Sequence, residues 1–282
     1  MAGTERAPAC SAFFGQARDD LAAGSAGADE FGSNVSSRAT LEENVVSVPS
    51  MPPLNGRNLA EFYVASEASK RTILREYAKP PQQQQARIIM YDSIRRIVPD
   101  YFKLGRGDAV LLRTERFLAE RTFANAEFSE TWHKSNLTAI ANLRRLQLKG
   151  EFVDVRTGKT AIAVGKLRVL STADFYGRYC PAASNARQKM VAVIVNPSGV
   201  RKPQEKRKTW IAIESEVAIR AALNHGLNIE EVMYFDLPKN EITRHVGAKK
   251  TVWAEIDATC ERIFRDWREI RMQMSQGESG TA

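Results

Sequence analysis

The chain has 282 residues, 43% hydrophobic and 26% charged, with a formal net charge of +8, enough apolar material for one large or two modest globular domains. No run of about 18 apolar residues occurs and the start lacks the basic-then-apolar pattern of a secretory signal, so neither a membrane span nor export is expected. Cys10, Cys180 and Cys260 are far apart and odd in number, form no CxxC pair, and suit a reducing, cytoplasmic setting better than a disulfide frame.

The charge is unevenly spread. Residues 1–50 carry three Arg against seven acids, whereas residues 65–150 carry sixteen Lys and Arg against nine acids, and residues 151–282 carry twenty-one against sixteen. The part expected to fold is therefore more basic than the total suggests, which favours an anionic partner, nucleic acid (DNA or RNA), over ordinary surface charge only weakly.

Residues 1–56 read as a disordered acidic tail and linker, rich in Ala, Gly and Ser and ending in Val48-Pro49-Ser50-Met51-Pro52-Pro53. Phe13, Phe14 and Leu21 form a candidate docking motif for a protein partner. A helical region is expected over residues 57–150. Leu59, Phe62 and Tyr63 share one face of a first helix. Ser66 caps a second, through Ile73, Leu74 and Tyr77, that stops before Pro80. Pro80-Pro81 opens a third, with Ile88, Tyr91, Ile94 and Val98 inward and Arg87, Arg95 and Arg96 outward. Gly105-Arg106-Gly107 breaks the pattern, Leu111, Leu112, Phe117 and Leu118 begin a fourth helix, and Leu137, Ile140, Leu143 and Leu146 define a fifth capped near Ser135.

After Gly150 the period becomes alternating, and residues 151–274 read as an α/β core with a C-terminal helix, ahead of a frayed tail at 275–282. Phe152, Val153 and Val155 lead into Arg156-Thr157-Gly158-Lys159, and Ala161, Ile162 and Val164 lead out, the pattern of a hairpin or meander continued by residues 167–170. Residues 190–195 are a β-branched run stopped by Asn196-Pro197-Ser198-Gly199. A basic turn follows, and residues 209–213 (Thr-Trp-Ile-Ala-Ile) read as a second strand. Residues 216–224 read as a helix stopped at Gly226, and residues 232–237 as a third strand closed by Pro238. A last helix runs from Val252 to about Met272. The expected class is α+β, a helical N-terminal half followed by a mixed sheet flanked by helices.

Gly158-Lys159-Thr160 matches the end of a phosphate-binding loop, but the first glycine of that motif would fall at Val153 and the segment leads into a strand rather than a helix. His133, His225 and His245 are scattered and define no zinc site, and no GxSxG elbow occurs. The strand–helix–strand order, with a helix ahead of it, resembles the PD-(D/E)XK nuclease-like fold of the restriction endonucleases. Tyr234-Phe235-Asp236-Leu237 followed by a helix bearing Glu255, Cys260, Ile263 and Trp267, with Phe62, Ala65-Ser66 and residues 71–91 ahead, is similar to a group of bacterial proteins carrying such a core. The resemblance covers residues 58–271 and implies an acid ending one strand, and an acid and a Lys two places apart on the next, gathering a divalent metal. This chain departs from that pattern. Asn196 replaces the first acid, and the nearest approach to the acid–Lys pair is Glu205 with Arg207, whose guanidinium does not supply a deprotonatable amine.

The candidate catalytic set is Glu214, Glu216 and Asp236. The two glutamates alternate onto one face if the strand extends that far; otherwise they begin the following helix, where its dipole favours negative charge. The candidate nucleic-acid-binding set is Arg201, Lys202, Lys206, Arg207 and Lys208, with Trp210 placed to stack on a base or to join the core. Three functions stay open: nucleic-acid binding through a degenerate nuclease-like core, a metal-dependent nuclease with a non-standard carboxylate set (the one case that calls for Mg or Mn), and a regulatory protein that recruits a partner through its tail.

Overall fold

A computed structural model describes residues 51–78, 90–123, 125–183, 186–198 and 204–278. The acidic tail, Pro80-Pro81 with Arg87 and Ile88, and the basic positions Arg201 and Lys202 lie outside the described residues. A short strand, β1 (Leu54–Asn55), leads into α1 (Gly56–Val64), whose first turn is capped by the Asn55 side chain accepting from the Asn58 amide at 2.9 Å. Ser66 receives the Ser69 amide at 3.3 Å and starts α2 (Glu67–Ala78), as its sequence predicts. Three helices follow, α3 (Asp92–Lys103), α4 (Asp108–Glu120) and α5 (Ala126–Arg145). The last begins well ahead of Ser135. Asn125 is its cap, accepting from the Phe128 amide at 2.8 Å, and the added turns bury Trp132 completely.

The second half is an α+β assembly. Strands β2 (Gly150–Arg156), β3 (Ala161–Val164), β4 (Leu167–Leu170), β5 (Phe175–Pro181) and β6 (Lys189–Asn196) precede α6 (Gln204–Asn224), then β7 (Glu231–Asp236), β8 (Glu241–Val246) and α7 (Lys250–Glu278). The main sheet has the order β2-β5-β6-β7-β8, antiparallel except for the parallel pair β6 and β7; β1, β4 and β3 form a second, small sheet. The hairpin expected around Arg156-Thr157-Gly158-Lys159 is therefore a crossing between sheets. β2 pairs with β5 and β3 with β4, because Phe152 belongs to the core under the main sheet while Val164, Leu167 and Val169 belong to another. Gly150 makes the entry to β2 feasible. Its φ is +149°, and a Cβ there would stand 2.4 Å from the Cys180 carbonyl oxygen.

The largest correction concerns residues 209–213, which are helical and lie in the middle of a 21-residue α6. The reason is burial on two sides. Ile211, Ala218 and Ala222 pack on Ile194, Val232 and Tyr234 of the sheet, while Trp210, Ile213 and Val217 pack against α1 and α7 through Leu59, Phe62, Ile256 and Cys260. A helix covered on both faces loses its one-sided stripe, and its β-branched residues then read locally as a strand. The other face of the sheet (Phe152, Phe175, Val191, Val193, Val195, Met233 and Phe235) packs on α3, α4 and α5. β6 and β7 are thus apolar on both sides and carry continuous hydrophobic runs. Among the described residues no helix is long and apolar enough to cross a membrane.

Candidate functional site

β6 and β7 run side by side and end in register, with Asn196 opposite Asp236. The connection between parallel strands has to return over one face of the sheet, and here α6 does so. It brings the middle of a buried helix up to the carboxyl ends of the pair, the edge where open parallel sheets collect ligands.

Glu214 sits in that helix with no solvent exposure. Its Oε1 accepts from Arg57 Nε at 3.2 Å and Thr172 Oγ1 at 3.4 Å, and its Oε2 accepts from Trp210 Nε1 at 3.0 Å. Arg57 stands one residue into α1, and the close fit of α1 on α6 at Gly56 brings it there. A Cβ on Gly56 would lie 3.5 Å from the Glu214 Cα. From the other face of the sheet, Arg95 of α3 reaches the same edge. Its Nε lies 3.9 Å from the buried Asp174, whose Oδ2 accepts the Val195 amide at 2.7 Å. Both arginines then point an Nη2 at one acceptor, the carbonyl of Val195, at 3.4 Å from Arg57 and 3.5 Å from Arg95.

The electrostatics follow from this crowding. Burial opposes the charge of Arg57, but Glu214, then Tyr234 and Asp174, outweigh it and hold the guanidinium above its ordinary range. Arg95 is pulled down, first by burial and then, against the attraction of Asp174, by the like charge of Arg57. Burial raises Asp174 in spite of Arg95. The Tyr234 phenol is pushed up by burial and then by the negative charge of Glu214.

Asp236 closes β7 almost fully buried, with Arg207 Nη2 2.7 Å from its Oδ2; the approach is off the hydrogen-bond axis and counts as an ion pair only. Arg207 Nη1 reaches Glu241 at 3.0 Å. Glu216, two positions beyond Glu214 and therefore on a different side of the helix, serves other neighbours. Its Oε1 meets His245 Nε2 at 2.9 Å and the Lys249 amide at 2.6 Å, and its Oε2 lies 3.7 Å from Arg220 Nε.

The sequence-predicted carboxylates are therefore not gathered. Glu214 faces Arg57 and Asp236 faces Arg207, and Glu216 is apart with His245 and Arg220. Among the described residues no group of three or more His, Cys, Asp or Glu is arranged to hold a metal ion. His133 meets the Arg121 carbonyl at 2.7 Å and His225 accepts from the Ala161 amide at 3.4 Å, both structural contacts. Trp210 is buried against Glu214, so it offers no face to a base. Of the basic positions, Lys206 and Lys208 are exposed on the first turns of α6, while Arg207 between them is committed to Asp236 and Glu241.

No family model matches this chain, and neither does any curated protein.

Four residues of the site lie outside the two candidate sets read from the sequence. Arg57, Asp174 and Tyr234 stand among ordinary helix-start and strand neighbours. Arg95 is visible only as one of several basic residues on a helix face.

Proposed function

We propose that this protein binds nucleic acid through the basic edge formed where β6 and β7 end, and that its nuclease-like core does no metal-dependent cleavage with Glu214, Glu216 and Asp236. The observation that carries the reading is the distribution of charge at that edge. Glu214, Asp174 and Asp236 have buried side chains faced by the chain's own arginines, and the exposed Glu241 is paired with Arg207, whereas the cationic groups open to solvent are Lys206 and Lys208, with the accessible sides of Arg57 and Arg95. Flexible lysines on a helix start, beside arginines held by carboxylates, suit a phosphate backbone contacted without regard to sequence. Among the described residues Glu214, Glu216 and Asp236 do not gather as a metal-holding group, which is why cleavage is the weaker alternative.

The test is fluorescence anisotropy with single-stranded DNA, duplex DNA and RNA across a salt series. Releasing counterions from Z phosphates gives a logarithmic slope of about −0.7Z to −0.9Z. The double change Lys206→Ala and Lys208→Ala should flatten that slope by about one to two units and weaken all sequences alike. Unchanged binding at every salt concentration would reduce these lysines to solvated surface. Cleavage in Mg or Mn that Glu214→Gln or Asp236→Asn abolishes would establish the nuclease instead.

A further inference from the structure

We infer that Arg57 and Arg95 together form a receptor for a single phosphate group, built into the end of the sheet beneath the nucleic-acid edge; that the phosphate belongs to a nucleic acid rests on the function proposed above.

Three observations carry it. The first is convergence. Two guanidiniums from α1 and α3, which approach from opposite faces of the sheet, meet at the Val195 carbonyl at 3.4 and 3.5 Å. Bringing two like charges together in partly desolvated surroundings is unfavourable; Glu214 and Asp174 offset it from behind, and on the side where the two guanidiniums meet only the carbonyl oxygen is shared among the described residues. An oxyanion between them reverses the sign of that interaction.

The second is a surplus of donors. An arginine has five N–H groups. Among the described residues Arg57 spends one on Glu214 and one on Val195, and Arg95 spends one on Val195, fewer than either fork offers. No nitrogen of either guanidinium is sealed from solvent without a partner, in contrast to Arg207 Nη2 and Arg220 Nε. Spare, solvent-reachable N–H groups on rigid planar forks are what a phosphate takes in pairs.

The third is buttressing. Glu214 and Asp174, both buried, stand behind the two arginines and fix their orientation. Protein crowds both guanidiniums enough for burial to oppose their charge, yet 30% and 29% of their side-chain surface stays open.

The experiment is residue-resolved arginine modification of the full chain by phenylglyoxal, read by peptide mass spectrometry. It is run with inorganic phosphate, with a 5′-phosphorylated oligonucleotide and with its 5′-hydroxyl counterpart. Bound phosphate should slow modification of Arg57 and Arg95 by the factor 1 + [L]/Kd, about tenfold at nine times Kd. The exposed Arg71 and Arg265 serve as internal controls and should be unaffected. In parallel, Arg95→Gln removes the charge and should flatten the salt slope of oligonucleotide binding by up to about 0.7 to 0.9, one phosphate's worth, whereas Arg95→Lys keeps the charge, loses the fork, and should weaken binding with the slope retained. Protection by both oligonucleotides assigns the receptor to an internal phosphate, and protection by the phosphorylated one alone assigns it to a strand end. Protection by inorganic phosphate with no oligonucleotide binding keeps the receptor, for a small phosphate ester, and removes the nucleic-acid reading. Oligonucleotide binding with no protection of either arginine by any ligand overturns the receptor and leaves the nucleic-acid reading in place.

Discussion

Removing either partner of the Arg57–Glu214 pair should have unequal consequences, and the inequality follows from where each group sits. Glu214 has no route to water, whereas Arg57 keeps 30% of its side-chain surface open. Arg57→Ala strands a buried carboxylate, leaving it only Thr172 and Trp210 as donors. Breaking a buried pair in this way costs about 3–5 kcal/mol. The Val195 carbonyl is not orphaned, because Arg95 still reaches it. Glu214→Ala instead frees a guanidinium that can turn toward solvent, and the main penalty is the buried Trp210 indole N–H left without its acceptor, about 1–3 kcal/mol. The double change should cost less than the sum of the two by about 1–3 kcal/mol, since contacting residues are not additive. In a domain of this size 1 kcal/mol moves Tm by about 2–4 °C, so Arg57→Ala should lower it by roughly 6–20 °C. Urea unfolding followed by tryptophan fluorescence measures all three, with a constant m value as the check on two-state behaviour. If Glu214→Ala is as damaging as Arg57→Ala, or the two changes simply add, the carboxylate is not held by that arginine and the account of the site is wrong.

Two further expectations come from ionisable groups away from the site. Burial pushes the Cys260 thiol up to about 12, so at pH 8 it should resist iodoacetamide in the folded protein and react only on denaturation; rapid labelling of the native chain, located by mass spectrometry, would place it at an open surface instead. Glu67 is held down to about 2 by its hydrogen bond to Arg262 and then by Lys70. Its folded value lies below its unfolded one, so its contribution is present above about pH 4.5 and is lost as pH falls toward 2. Because the group is exposed the effect is small and screened by salt, and Glu67→Gln should lower Tm slightly at pH 7 in low salt, leave it unchanged near pH 2, and so flatten a shallow acid dependence of Tm.

Much of the architecture is legible in local pattern. Ser66 announces a helix start, Leu111 and Leu118 mark the inward side of α4, and the stripe of Ile256, Cys260, Ile263 and Trp267 defines α7. The run from Met190 to Val195 and the run from Val232 to Phe235 are strands because β-branched and aromatic residues fit a sheet covered on both faces. These features depend on neighbours a few residues away, so the sequence by itself determines them. Two of the sheet's strands were not legible. β5 reads Phe-Tyr-Gly-Arg-Tyr-Cys-Pro, where a central glycine and a charge interrupt the apolar pattern. β8 reads Glu-Ile-Thr-Arg-His-Val, an edge strand that owes its place to pairing with β7.

The tertiary structure alone decided the state of residues 209–213 and the composition of the site, for one physical reason. Trp210-Ile211-Ala212-Ile213 satisfies a strand pattern locally, and only the presence of the sheet on one side and α1 with α7 on the other makes a helix the form that buries all of it. That change of state turns Glu214 and Glu216 from neighbours on one strand face into groups on different sides of a helix. It hands Glu214 to Arg57, 157 positions away, and Glu216 to His245, 29 positions away. Arg57 and Arg95 likewise come together only because their helices pack on opposite faces of one sheet and reach the same carbonyl at its edge. Charge and residue type are written along the chain, but which charges face each other is set by packing between elements distant in sequence, where the local pattern carries no information.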